Sequence, residues 1–344
     1  MLRLSVLDQS TVVTGRSPDT SIRESLALAQ HCEALGYDRY WCAEHHNSES
    51  QAGTAPEILI SAIAATTSRI RVGSAGVMLP HYSSLKVAEQ FRVLEAVAPG
   101  RIDLGLGRAP GSDGRTAFAL NPLAETAADH FPAQVRDLLA WVSGQKLVEG
   151  HPFRDVMAQP GGPTVPEVWM LGSSDYGAQV AAYFGLPFCF AHFITDGRGV
   201  EQAMAIYREG YRPSERWPAP HAGICVWAMA ADTPEEAAYL FRSREMWRLG
   251  RDRGVYAALP SPEEAAAYAY SEAEQARIER LRARAIYGTP DVAAAKLHEL
   301  AAAHGVAEIA VLTTLHDPVA RRRSYTLLAQ ACGLKSAAQP AALH

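Results

Sequence analysis

Cysteine is scarce in this sequence and arranged for no chemistry. The five, Cys32, Cys42, Cys189, Cys225 and Cys332, are scattered, odd in number and never spaced C-x-x-C. That excludes a disulfide framework and a cysteine zinc site, and it makes buried, reduced thiols in a cytoplasmic protein the expectation. Long apolar runs are also missing: none reaches membrane-spanning length, and Met1 leads straight into the strand-like Leu2 to Leu7 with no leader pattern. Secretion and membrane insertion are therefore not expected. There is no basic excess, since 32 Lys and Arg face 37 Asp and Glu for a net charge of -5. Nucleic acid is not an expected partner, because no segment before residue 276 gathers the charge to neutralise a run of phosphates. The later Arg277, Arg280, Arg282 and Arg284 are interleaved with Glu279 and read as a solvated helix face. Finally, no H-x-x-x-H or H-E-x-x-H spacing occurs, and the adjacent His45 and His46 would project to opposite faces of a strand. No metal is expected.

What is present is a repeating strand-then-helix pattern. Its clearest copy runs from Arg71 to Arg108: an apolar run carrying Gly73, Ser74, Ala75 and Gly76, a helix, then the strand Ile102, Leu104, Leu106. The helix is expected to start at Ser84 as its N-cap and to stop at Pro99 and Gly100. The glycine-rich end is bare enough for a flat ligand to approach. Earlier, Ser21 with Glu24 reads as a capping box closed by Gly36. Residues Ala109 to Asn121 read as a polar, glycine-rich excursion, Gly144 to Pro166 as an extended insertion, and Gly250 to Arg284 as a mobile lid or excursion. Eight strand-then-helix repeats at this length indicate an α/β fold, a (β/α)8 TIM barrel with insertions after strands 4 and 7, occupying 1–335 as one domain before a tail at 336–344. An open doubly wound sheet is the alternative.

In a barrel the strand ends share one mouth. The polar exits are Asp8, Glu44 with His45 and His46, the Ser74 to Gly76 backbone, Arg108, the Gly172 to Gly177 turn, His192 and His316. Gly172, Ser173 and Ser174 open a helix, where free N–H groups favour an anion and Arg108 can add a charge-assisted contact. The serines also suit a plain helix cap, and Arg108 alone suits a structural ion pair with Asp103 or Asp113. His45 suits a general acid or base, or a histidine simply bonded at a strand end. Met170, like Met78 and Met157, is the kind of residue that fills cores, and its strand-end position puts it with the candidate cofactor contacts.

These residues carry a family resemblance. The strings EHHNSE from Glu44, RVGSAGVMLPHYSSLKVAEQFRVLEAVAPGRIDLGLGRAPG, WMLGSSDYGAQVAAYFGLPFCFAHF and IAVLTTLHDPVARRRSYTLLAQ, in order and nearly end to end, resemble the bacterial luciferase-like flavin monooxygenases, in particular single-chain relatives of the luciferase alpha subunit. The resemblance implies a barrel binding FMN at its carboxyl-end mouth. It implies a non-proline cis peptide at Ala75–Gly76 against the flavin ring, with Arg108, Ser173, Ser174 and Tyr176 on the phosphate. It also implies Glu44 and His45 as acid and catalytic histidine, and a lid over 250–284. Gly107 stands where luciferase alpha chains carry a reactive cysteine, a departure on the side of light emission, and Ser84 stands where close relatives tend to have proline.

The function so implied is a two-component monooxygenase: reduced FMN from a separate flavin reductase reacts with O2, and the resulting peroxyflavin oxygenates a small organic substrate. A homodimer is the implied assembly. A deazaflavin-dependent dehydrogenase or reductase, and a flavin-binding protein without turnover, are the alternatives.

Overall fold

The apolar runs and the punctuation between them become ten strands, fourteen α-helices and one short 3-10 helix (Leu79–His81) in a computed structural model that describes residues 2–335; the expected tail at 336–344 lies outside them. First come β1 (Arg3–Asp8), α1 (Pro18–Leu35), β2 (Arg39–Cys42), α2 (Pro56–Thr66), β3 (Arg71–Ser74), β4 (Val77–Met78), α3 (Ser84–Val97) and β5 (Ile102–Gly107). Next are α4 (Gly114–Leu120), α5 (Ala124–Asp129), α6 (Phe131–Val142), β6 (Glu167–Gly172), α7 (Asp175–Phe184), β7 (Phe188–Ala191), α8 (His192–Thr195) and α9 (Val200–Glu209). The chain continues through β8 (Ala222–Ala230), α10 (Pro234–Asp252), α11 (Pro262–Ala267), α12 (Glu272–Arg284), β9 (Ile286–Gly288), α13 (Pro290–His304), β10 (Glu308–Leu312) and α14 (Pro318–Ala331).

The strands hydrogen-bond in the order β10-β1-β2-β3-β5-β6-β7-β8-β9, with a further β10–β8 pairing that closes the sheet. This is the (β/α)8 barrel. Two of the ten strands are additions: β4 continues β3 beyond residues 75 and 76 and pairs with β5, and the three-residue β9 pairs with β8. Eight staves remain, and the long insertions follow the fourth and seventh of them. The chain divides into two compact units, one holding the residues up to Tyr40, Ser48–Ala52 and Ile224 onward, the other Trp41–Asn47 and Gly53–Gly223.

In the first unit, β1 and β10 lie parallel with Arg3 opposite Glu308 and Val6 opposite Val311. Asp8 corrects an expectation. It is no open polar exit: it is 1% exposed, Arg321 donates to it at 2.8 Å, and the Tyr40 hydroxyl donates at 2.6 Å. A buried carboxylate is tolerable only when paired in this way. The expected capping box on α1 does not form, because the helix begins at Pro18 behind Ser17. Ser21 sits inside it and donates to the Thr11 carbonyl, while Glu24 pairs with Arg16. Gly36 does close the helix, in the left-handed conformation. The 250–284 segment is largely helical: α11 and α12 each start in a full capping box, Ser261 with Glu264 and Ser271 with Glu274.

In the second unit, the glycines of β3 and β5 have a reason other than a ligand. A Cβ on Gly73 would lie 2.4 Å from the Asp103 carbonyl oxygen, one on Gly76 2.8 Å from that of Gly105, and one on Gly105 2.1 Å from that of Ser74. The two main chains touch, and only glycine lets them. The Ser74 hydroxyl stitches the contact, donating to the Gly105 carbonyl at 2.9 Å and accepting its N–H at 3.0 Å. α3 is capped by Ser83 rather than Ser84, the Ser83 hydroxyl accepting from Lys86 N–H at 3.4 Å. Its buried face is Val87, Ala88, Phe91 and Leu94, and truncating a fully buried Phe91 to alanine would cost about 3–5 kcal/mol. The excursion after β5 is not simply polar loop: Asp113 caps α4, accepting from the N–H groups of Arg115 and Thr116 at 3.0 Å each.

Candidate functional site

All the sequence-predicted catalytic and cofactor-binding residues fall in the second unit. They gather on the strand ends β2, β3, β5 and β6 and the turns that leave them.

The exit of β2 supplies Glu44. Its carboxylate is 1% exposed and accepts three contacts: the Tyr82 hydroxyl at 2.7 Å, the Met78 N–H at 3.0 Å and Nε2 of His46 at 2.8 Å. An ionised carboxylate accepts only, so the imidazole proton sits on Nε2 of His46. Burial first, and the Glu44 carboxylate next, push the Tyr82 phenol far above its ordinary value, which keeps it a donor. Of the two adjacent histidines, His46 is the one whose Nε2 lies 2.8 Å from the Glu44 carboxylate. His45 is half-buried, its backbone N–H donating to the Gly53 carbonyl at 2.9 Å. The residues missed, Tyr82 and His81, lie in the same PHYSS string that carried the resemblance. Nε2 of His81 lies 2.7 Å from the Pro110 carbonyl oxygen, which only accepts, so Nε2 carries the proton there too. The His81 ring stands edge-on to His46, centroids 6.3 Å apart.

The same carboxylate shapes the neighbouring main chain. The Ala75–Gly76 peptide is cis, as the resemblance implied. Ala75 N–H donates to the Cys42 carbonyl at 2.7 Å on one side of that bond, and Met78 N–H donates to Glu44 on the other. A turn of backbone is thus held between β2 and β5 with its position set by a buried charge.

Arg108 leaves the end of β5 exposed to solvent. Neither ion pair considered for it forms. Asp103 stands five residues earlier on the strand, about 16 Å away at strand rise, and is taken by Arg71 at 2.5 Å and by the Trp41 indole N–H at 2.9 Å. Asp113 is spent on its cap, which holds its carboxyl down at about 2 through the Thr116 backbone and side chain, then Asn47. The Arg108 guanidinium lies over the Tyr176 ring, 4.0 Å from its centroid, a cation–π contact. Tyr176 in turn leans on the fully buried Phe131, centroids 6.4 Å apart.

Tyr176 belongs to the first turn of the ten-residue α7, whose opening N–H groups have no partner within the helix. Ser174 is the N-cap, extended in backbone, and its hydroxyl makes no capping bond. The alternative of a plain side-chain cap is met in position by Ser174 but not in hydrogen bonding. Asp175, the one acidic group of that turn, is held by Gln202 at 2.7 Å. The donor set of Arg108, Ser174 and the α7 amides therefore fits a phosphate. Gly172 closes β6, and Met170 is 1% exposed within that strand, opposite Phe188.

Residues 2–308 match the luciferase-like monooxygenase family. The chain is 39% identical over 328 residues to a luciferase-like monooxygenase of Escherichia coli K12, covering 95% of this chain and 96% of that one. It is 35% identical over 331 residues to N-acetyl-S-alkylcysteine monooxygenase of Bacillus subtilis, covering 96% and 98%. Among solved structures, apo-MsnO8 superposes with a TM-score of 0.89 at 36% identity over 98% of this chain and 100% of that one. The fold alone is shared with the FMN-bound oxygenating constituent of a Pseudomonas putida diketocamphane monooxygenase, TM-score 0.70 at 17% identity over 96% and 97%. It is shared equally with an F420-dependent secondary alcohol dehydrogenase, TM-score 0.67 at 13% over 96% and 99%. The chain belongs to the luciferase-like monooxygenase family, which makes it an oxidoreductase by class. Among the described residues no helix is long and apolar enough to cross a membrane.

Proposed function

We propose that this protein is a monooxygenase that takes reduced FMN from a separate reductase and uses O2 to oxygenate a small organic molecule. The observation that carries the cofactor assignment is Arg108: a strand-end arginine with no ion pair among the described residues, seated on Tyr176 at the opening of α7. Arg108, Ser173, Ser174 and Tyr176 hold the phosphate, Gly172 lets the turn run close to it, and Ala75 and Gly76 back the ring, while Met170 is buried within β6 and supports the site from inside the strand. The cofactor, when bound, supplies the oxygen chemistry that amino-acid side chains lack.

The chain's own part is position and protons. Glu44 fixes the Ala75 to Met78 backbone and keeps the His46 proton on Nε2. His45 is the general acid or base, because an imidazole exchanges protons near neutral pH. Tyr82 stays protonated and holds Glu44 in its place.

The test is oxygen uptake and product formation with pre-reduced FMN. His45→Ala is expected to lower turnover by about 10²- to 10⁴-fold with FMN affinity retained; wild-type kinetics in that variant would remove His45 from the reaction. Parallel titrations with FMN and with a deazaflavin distinguish the oxygenase from a dehydrogenase, and only tighter binding of the deazaflavin supports the second.

A further inference from the structure

The proposed chemistry leaves unused a cavity in the first unit, of about 630 Å³, opening to solvent among α10, α11 and the segment between them. Its walls are Met246 and Trp247 of α10, Val255 and Ala258 of the connecting segment, and Tyr268 and Tyr270 beyond α11. Val255 and Tyr268 stay 53% and 38% exposed, an unusual display of apolar surface for a segment rich in charge.

Most polar groups of this wall are already hydrogen-bonded within the chain. The Trp247 indole N–H donates to the Ala257 carbonyl at 3.1 Å, and the Tyr270 hydroxyl to that of Ala265 at 2.9 Å. The Tyr268 hydroxyl and Arg253 both donate to Glu274, at 3.3 and 2.9 Å. Glu264 accepts from the Thr14 hydroxyl and from the Ser261 N–H, 2.6 Å each, and remains an anion because those bonds hold its carboxyl below the usual range. The aromatic wall is also braced from behind, the Arg251 guanidinium lying 5.0 Å from the Trp247 ring and 5.4 Å from that of Tyr256. A charged ligand would give up hydration for groups that are largely bonded already, with the Arg253 and Glu264 charges of opposite sign on the same wall. A neutral apolar one loses nothing and gains buried area.

We infer that this cavity is a binding site for a neutral, apolar small molecule, recognised by Trp247, Met246 and the two tyrosines. Calling that molecule the oxygenation substrate rests on the proposed function; the binding itself does not. Equilibrium dialysis of the full chain, without flavin, against naphthalene and against 2-naphthoate tests it, since the two probes differ only by a carboxylate. Saturable uptake of one naphthalene per chain is expected, at least tenfold tighter than 2-naphthoate. Ala267→Phe, which fills the cavity from the end of α11, and Val255→Asp, which places a charge on an exposed wall, should each weaken naphthalene at least fivefold with an unchanged thermal midpoint. If one variant fails to fold, the other decides. Absence of saturable naphthalene binding, equal or tighter binding of 2-naphthoate, or wild-type affinity in a folded variant overturns the assignment. Oxygen uptake with reduced FMN but no naphthalene binding would sink this inference and leave the proposed function standing; the reverse result would do the opposite.

Discussion

Arg321, one turn into α14, and Arg108, directly after β5, are both arginines beside strand ends, and they have opposite fates. Arg321 is buried, giving one nitrogen to Asp8 at 2.8 Å and another to the Thr313 carbonyl at 2.7 Å. Arg108 is exposed and touches a tyrosine face instead of an acid. One charge is consumed in joining α14 to the end of β1; the other is left for something outside the chain. The contrast shows that a charged residue is a ligand candidate only when the fold has not already neutralised it.

The sharpest way to break this comparison is Arg321→Met. It strands the Asp8 carboxylate without its partner and should cost about 3–5 kcal/mol of stability, read from urea denaturation. The pH dependence has a definite sign. Burial alone would raise the Asp8 carboxyl, but the Arg321 charge and hydrogen bonds, with Ser25 and Tyr40, bring it below its ordinary value of 3.8. A carboxyl depressed in the folded state contributes stability above the unfolded value and loses it as pH falls through the folded one. The gap between wild type and Arg321→Met should therefore narrow as pH falls, first as the buried, unpartnered carboxyl of the variant takes up a proton and then, below about pH 4, as wild type loses its own contribution; a constant gap down to about pH 3 would contradict the pairing.

Arg108→Ala is the opposite experiment. Stability should stay within about 0.5 kcal/mol, whereas FMN should bind roughly ten- to hundredfold more weakly, the value of a hydrogen bond to a charged group. Riboflavin, lacking the phosphate, should bind wild type and variant alike. Equal losses for both flavins would move Arg108 away from the phosphate.

Tyr82→Phe sharpens the picture at the other edge. It removes one donor from the buried Glu44 and should cost about 1–3 kcal/mol of stability, and flavin binding should weaken too if the Glu44-anchored turn backs the ring. The smallest effect is expected from Asp113→Asn, at an exposed position. The amide oxygen of that variant can still cap α4, but the carboxyl held at about 2 is gone. Because a depressed carboxyl gives up its stability as pH falls through its folded value, the variant should lose less stability than wild type on acidification from about pH 4 to about pH 2.

The sequence alone carried the alternation of strand and helix, the eight staves and the two long insertions, because apolar periodicity and glycine or proline stops are local signals. It also carried the strings holding Glu44, Ala75, Gly76, Arg108 and the Ser173–Tyr176 turn. Cap positions slipped by one to four residues, Ser83 for Ser84 and Ser17 for Ser21, because neighbouring serines offer equivalent hydroxyls and only the completed helix chooses between them. Partnerships were beyond reach for a different reason. That Asp103 goes to Arg71, Asp8 to Arg321 and Glu44 to His46 depends on which side chains a closed sheet brings within hydrogen-bonding distance of each other. Charge pairing is a property of distance in space, which one-dimensional spacing does not hold. The bare glycines show the same division: sequence marks where the side chain is missing, and only the tertiary structure reveals that the neighbouring strand's backbone fills the gap.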